Sequence, residues 1–341
     1  MNPILQNLRN LWHPLNYHGH HVHSQFFEGW YYKWIDPSEQ YAFAVIPGIS
    51  KGANGESHAF IQVMDGRNCV AHYHEFPAAE FWASDREFEV KIGDNSFSRH
   101  AVELSLDSLS GKVEFRNLTP WPSSFLSPGI MGWYSFVPKM QCKHGVVSLH
   151  HELSGQMTYE GHPIDFTGGI GYGEKDWGTS FPSSWIWMQT NHFEAEDRVS
   201  LSASIARIPW LGSSFVGFIA GMWINGTLYR FTTYTGAKLE ALDIFETHVR
   251  YVLRDKTKRL ELLAHKAAGS DLKSPIAGDM RGRVNESMNA RVEVQLTSLS
   301  GGQSQLIFEG TGRNAGLEVG GQVEELYAGL PSHLKVSGVQ R

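Results

Sequence analysis

The strongest constraint in this chain is a period-two alternation of aromatic and β-branched residues, broken at short, even intervals by Gly, Pro, Asn and Asp. Side chains on a strand point alternately to two faces, so such a pattern specifies half-buried strands rather than helices. Residues 27–35 and 41–46 read as strands joined at Asp36-Pro37-Ser38, and 58–64 and 70–76 flank Asp65-Gly66-Arg67-Asn68. The series continues at 88–92, 97–98, 101–106 and 112–117. It resumes at 148–159, 185–193, 199–208, 215–224 and 227–235. Residues 247–254 and 259–266 are spaced ambiguously, but the alternation Val249-Arg250-Tyr251-Val252 and the polar turn Asp255-Lys256-Thr257-Lys258 favour a hairpin over a helix. A last hairpin is expected at 291–297 and 304–309. Helix is confined to a short N-terminal turn around 4–12. The expectation is an all-β chain of antiparallel barrels or sandwiches.

At 341 residues the chain is about twice an ordinary domain. Trp30 to Trp34 precede a turn and then Phe43-Ala44-Val45-Ile46-Pro47, while Trp185-Ile186-Trp187 precede a turn and then Ser204-Ile205-Ala206-Arg207-Ile208-Pro209. This faint internal repeat suggests two related β-domains in tandem, 1–150 and 151–341, with the joint between about 140 and 165. Lys and Arg number 29 against 35 Asp and Glu, a net charge of −6, which argues against a general nucleic-acid binder. Cys69 and Cys142 belong to no CxxC pair, so neither a disulfide framework nor a structural zinc site is expected. The N-terminal residues lack a signal-peptide pattern, and no run of 18 apolar residues occurs. The expected location is cytoplasmic.

Chemistry-bearing residues concentrate in two segments. In Phe26-Phe27-Glu28-Gly29-Trp30-Tyr31-Tyr32-Lys33-Trp34, alternation puts Glu28, Trp30, Tyr32 and Trp34 on one face. A carboxylate among aromatics is either protonated, as a proton donor requires, or paired with Lys33, Lys175 or an Arg. In residues 168–191, Glu174, Lys175 and Asp176 stand between glycines and Trp177, as a site or as a salt-bridged turn. Trp185, Trp187, Gln189 and Asn191 then share a face, suited to a barrel interior that holds an apolar ligand with a polar end. The glycines form no phosphate loop, and no GxSxG elbow is present. His18, His20, His21 and His23 read as surface histidines. His72 and His74 share a strand face in the manner of metal ligands, but no metal site is assigned. The stretch 121–134, rich in Pro and aromatics, reads as a pocket cover, a membrane-resting segment or an ordinary packed loop.

Phe26 to Lys33 (FFEGWYYK), Gly171 to Asn191 (GYGEKDWGTSFPSSWIWMQTN) and Ala315 to Val319 resemble the signatures of the tocopherol cyclase family. The resemblance implies two lipocalin-like (calycin-like) β-barrel domains and closure of a chroman ring on a prenylated benzoquinol. That reaction protonates a trisubstituted alkene and captures the tertiary cation with the phenol oxygen. It calls for no cofactor, only an acid, an apolar slot and aromatic faces near the cation. The implied roles are Glu28 or Asp176 as proton donor, Glu174 and Lys175 tuning it, and Trp30, Trp177, Trp185 and Trp187 around the cation. Tyr32, Gln189 and Asn191 would hold the quinol oxygens. The partner is then an apolar prenylated quinol or related isoprenoid lipid, reached through peripheral membrane contact. A non-catalytic isoprenoid carrier and a hydratase adding water to the same kind of cation are the alternatives.

Overall fold

The structure is a computed structural model that describes residues 3–138, 140–194, 198–210, 212–328, 330 and 334. The chain is all-β. One α-helix is present among the described residues, Pro3–Asn10, where the sequence places its N-terminal turn. The first sheet is built from β1 (Phe26–Ile35), β2 (Ala42–Lys51), β3 (Ser57–Asp65), β4 (Val70–Pro77), β5 (Phe81–Ala83), β6 (Glu89–Ile92), β7 (Asn95–Ser98), β8 (Ala101–Ser105), β9 (Leu109–Arg116), β10 (Cys142–Tyr159), β11 (His162–Asp165) and β12 (Ile170–Gly178). The strands run in the order β4-β3-β2-β1-β12-β10-β9-β8-β7-β6-β5, with β11 beside β10.

The second sheet comprises β13 (Ser184–Thr190), β14 (His192–Phe193), β15 (Val199–Trp210), β16 (Ser213–Ile224), β17 (Thr227–Thr232), β18 (Lys238–Ile244), β19 (His248–Arg254), β20 (Lys258–His265), β21 (Ser270–Ile276), β22 (Asp279–Ser300) and β23 (Gln303–Gly321). Its order is β17-β16-β15-β13-β23-β22-β20-β19-β18, with β14 on β23 and β21 on β22. The recorded pairings in both sheets are antiparallel, and the expected β19–β20 hairpin forms with His248 opposite His265. The chain divides into two compact units, 1–181 with 271–283, and 182–270 with 284–341.

Each sheet surrounds its own apolar core. In the first, alternation turns Trp30, Tyr32 and Trp34 inward with Phe43, Val45, Phe97 and Phe115. In the second, Ile186 and Met188 join Leu201, Tyr251, Leu262 and Val292. Each large side chain so buried contributes about 1.5–3 kcal/mol. Residues 271–283 are pinned to the first unit: Gln62 and Lys273 exchange hydrogen bonds of 3.1 and 2.8 Å, and Ser50 Oγ donates to Gly278 O at 2.7 Å. No helix among the described residues is long and apolar enough to cross a membrane.

Candidate functional site

The segment expected as a site or a salt-bridged turn is a strand. β12 runs between β1 and β10, with Trp30 opposite Lys175 and Glu28 opposite Trp177 on one side, and Asp176 opposite His144 on the other. Consecutive charges therefore point to opposite faces of the sheet. Gly171 leaves the room β12 needs against β10, since a Cβ there would meet His151 Nε2 at 2.2 Å.

On the inward face, Lys175 forms an ion pair with Glu28, and neither side chain is exposed. The ammonium also reaches Asn16 O at 2.6 Å, Pro14 O at 2.9 Å and His18 Nδ1 at 2.9 Å. It sits 4.8 Å from the Trp30 ring centre and 4.9 Å from that of Trp177. Glu28 accepts the His18 backbone N–H at 3.0 and 2.9 Å. Burial alone raises a carboxyl pKa, but the Lys175 charge and the hydrogen bonds from His18 and Lys175 outweigh it and hold Glu28 below its ordinary value. Burial lowers Lys175 to about 8 against the pull of Glu28, so both partners are ionised at neutral pH. His18 is lowered to about 4 by burial and by Lys175, and its neutral ring stacks on Trp177 at 4.3 Å. Of the four crowded histidines read as surface groups, His18 instead completes the ion-pair cluster, while His20 lies 3.4 Å from Asp85 and His21 Nε2 lies 3.1 Å from Gln6 Oε1.

The aromatic partners on this face are packed. Trp30 stacks on Phe88 at 5.6 Å and donates its Nε1–H to Leu15 O at 2.9 Å, while Tyr32 stacks on Phe115 at 5.6 Å.

On the opposite face of β12, His144 Nδ1 lies 2.9 Å from Asp176 Oδ1 and its Nε2 lies 3.7 Å from Glu174 Oε2. Tyr172 donates its O–H to Glu174 Oε2 at 2.6 Å. Burial disfavours an imidazolium, but the charges of Asp176 and Glu174 and the hydrogen bond to Asp176 prevail and raise His144 to about 9. The neighbouring Cys142 thiol is pushed well up by burial and by Asp176, and stays protonated. His144, Glu174 and Asp176 offer three ligand atoms within 4.8 Å of one another. A divalent ion there requires a deprotonated His144, which the same two carboxylates oppose. His72 and His74 share a face as expected, with ring centres 6.3 Å apart, and His74 Nε2 meets Ser108 Oγ at 3.1 Å.

His144 was not legible in the sequence because this strand was expected to begin at 148, which left His144 outside it, whereas β10 begins at Cys142. Its signal is the pair of carboxylates two residues apart in a buried strand, which demands a cation.

In the second unit, Trp185, Trp187, Gln189 and Asn191 share a face as alternation requires. That face is the one turned away from the second core, because Ile186 and Met188 take the inward positions. Trp185 donates Nε1–H to Glu318 Oε2 at 2.7 Å. The indoles lie over glycines of β23: a Cβ at Gly320 would meet the Trp185 ring at 2.4 Å, and one at Gly316 the Trp187 ring at 2.7 Å.

The fold has a counterpart among solved structures. CghA with Sch210972 superposes with a TM-score of 0.52 at 10% identity, over 86% of this chain and 88% of that one, a likeness of fold alone. Among characterised sequences, the probable chloroplastic tocopherol cyclase of Oryza sativa subsp. japonica is 23% identical over 89% of this chain and 77% of its own length. The chloroplastic tocopherol cyclase of Zea mays is 27% identical over 56% of this chain and 41% of its own length. The tocopherol cyclase-like family model matches residues 105–321, a span that includes His144, Tyr172, Glu174 and Asp176, and the chain belongs to that family.

Proposed function

We propose that this protein is a tocopherol cyclase-like enzyme that closes a ring on a prenylated quinol by acid catalysis at the Asp176–His144–Glu174–Tyr172 cluster. One observation carries the reading: the 2.9 Å contact between His144 Nδ1 and Asp176 Oδ1, which places a protonated imidazole against a carboxylate that is itself about a quarter exposed. The proton is held between the two groups. Its resting form is imidazolium and carboxylate. The reactive form is the carboxylic acid, a far stronger acid, presented to the alkene while His144 is neutral. Protonation generates the tertiary cation. The phenol oxygen attacks it, the C–O bond forms, and the phenolic proton returns to the cluster, so each turnover leaves the protonation state unchanged. Glu174, fixed by Tyr172, keeps negative charge beside the imidazolium and the developing cation.

Under this reading Glu28 and Lys175 do not touch substrate. They clamp the inward face of β12 and so set the position of Glu174 and Asp176 on its other face, and Trp30 and Trp177 bracket the lysine. Trp187, Gln189 and Asn191 are buried, and we assign them with Trp185 to a face of β13, turned away from the second core, suited to an apolar molecule with a polar end. Such a substrate dissolves in lipid, so we also propose that the protein works at a membrane surface.

The test is incubation with 2-methyl-6-phytyl-1,4-benzoquinol under reducing conditions, followed by chromatography. Chromanol from the wild type, lost in Asp176→Asn and retained in Glu28→Gln, supports the proposal. A tertiary alcohol in place of chromanol would mean that water captures the cation. Binding without any product would make the protein a carrier.

A further inference from the structure

Several large apolar side chains lie on the surface of the first unit. Phe125 is 77% exposed, Leu126 74%, Leu8 49%, Trp133 46% and Phe136 43%. Phe125 and Phe136 flank Trp12, Leu126 follows Phe125, Trp133 shares the short 3-10 turn Gly132–Phe136 with Phe136, and Leu8 lies four residues before Trp12. The Trp12 ring stacks on Phe125 at 5.6 Å and meets Phe136 edge-on at 5.8 Å, and its Nε1–H reaches the carbonyls of Ser124 and Phe125, both at 3.3 Å. The aromatics are therefore held in place on the surface. A contiguous apolar patch on an otherwise soluble surface marks a place of contact.

Charge indicates what it contacts. Residues 1–27 and 115–151, which supply the whole patch, contain none of the chain's 35 Asp and Glu, although the protein carries a net charge of −6. They do contain Arg9, Arg116, Lys139 and Lys143. The Arg9 guanidinium is exposed and anchored on Arg86 O at 2.6 Å. The recorded carboxylate beside the helix, Asp85, faces Gln6 and His20. Exposed Phe, Leu and Trp on segments without acidic residues, with the exposed Arg9 on the same helix as Leu8, is the composition of a surface that settles into the headgroup layer of an anionic bilayer.

The patch is also tied to the proposed site. Lys143, next to His144, donates to Ser135 O within the patch segment at 3.2 Å. Pro14, two residues after Trp12, packs on Gly145 beside Trp177, and its carbonyl accepts from Lys175.

We infer that Leu8, Trp12, Phe125, Leu126, Trp133 and Phe136 form a docking surface that seats this protein on an anionic lipid bilayer. The identification of the surface stands on its own; its use in delivering an apolar quinol rests on the function proposed above.

The experiment is co-sedimentation with vesicles of phosphatidylglycerol and phosphatidylcholine in roughly equal parts, and with phosphatidylcholine alone. Wild type should pellet with the anionic vesicles, less so at high salt. Phe125→Ser with Leu126→Ser should weaken that binding by about tenfold or more, with an unchanged melting temperature. The same variant should convert detergent-dispersed quinol normally and vesicle-dissolved quinol slowly. Wild type remaining in the supernatant, or a variant that pellets equally well, would overturn the docking surface. So would a self-associating wild type whose dimer is lost in the variant, because a second copy would then be the occupant. Absence of turnover even in detergent would overturn the proposed function and leave the vesicle result intact.

Discussion

Inside the first sheet a lysine and a glutamate lie fully buried against one another, bracketed by two indoles and capped by the segment from Pro14 to His18. Inside the second, Ile186 and Met188 of β13 meet Leu201, Leu262 and Val292, and the interior is hydrocarbon apart from groups such as Tyr251. A buried ion pair of this kind adds little net stability over an apolar core, because desolvating two charges offsets their attraction. What it supplies is position. Lys175 fixes β12 from within, and the same strand presents Glu174 and Asp176 on its other side. The second sheet is built for stability, and the first gives up some of that for a polar arrangement that fits one backbone register.

The largest expected effect separates the two faces of β12. Asp176→Asn should lower turnover by about 10²–10⁴-fold, assayed at a temperature where the variant is still folded. Lys175→Ala should instead act on stability, costing about 3–5 kcal/mol in urea unfolding by leaving Glu28 buried and uncompensated. If the double variant Lys175→Met with Glu28→Leu remains equally destabilised, the ion pair is not the cause. Leu262→Ala sharpens the contrast with the second core. It should cost about 2–5 kcal/mol by leaving an apolar cavity, whose cost carries no charge term.

The pH dependence supplies a fourth test, about 3 kcal/mol at most. His144 is raised from 6.5 to about 9 on folding. Its contribution is fully present below about pH 6.5 and fades as pH rises through about 9. His144→Gln should flatten that alkaline fall in stability, and the activity of the wild type should decline over the same range. Glu28 behaves oppositely: its depressed pKa gives stability above the ordinary carboxyl range that is lost in acid as the folded-state pKa is passed. The smallest effect is expected from Gly316→Ala, which crowds the Trp187 ring and should lower stability by about 1–3 kcal/mol.

Much of this was written in period two. The hairpins of β1–β2, β3–β4 and β19–β20 followed from alternation and turn residues, because one buried face fixes which residues can be apolar. The shared face of Glu28, Trp30, Tyr32 and Trp34 followed the same way. Alternation failed in residues 270–290, where β21 and the start of β22 carry Gly, Pro, Asp and Asn in a text that reads as loop. It also failed to say which face of β13 is inward. Period two defines two faces but not which of them meets the core, and here the aliphatic face won the interior over the Trp face.

The amino-acid sequence determined the all-β class, the strands that alternate cleanly and the family motifs, since each depends on residues close together in the chain. Only the tertiary structure decided that Lys175 pairs with Glu28 while its neighbours Glu174 and Asp176 meet His144. Those partners lie far apart in sequence, and a one-residue change of register would exchange the two faces of β12. The charges were legible; which of them met depended on how β1, β12 and β10 align.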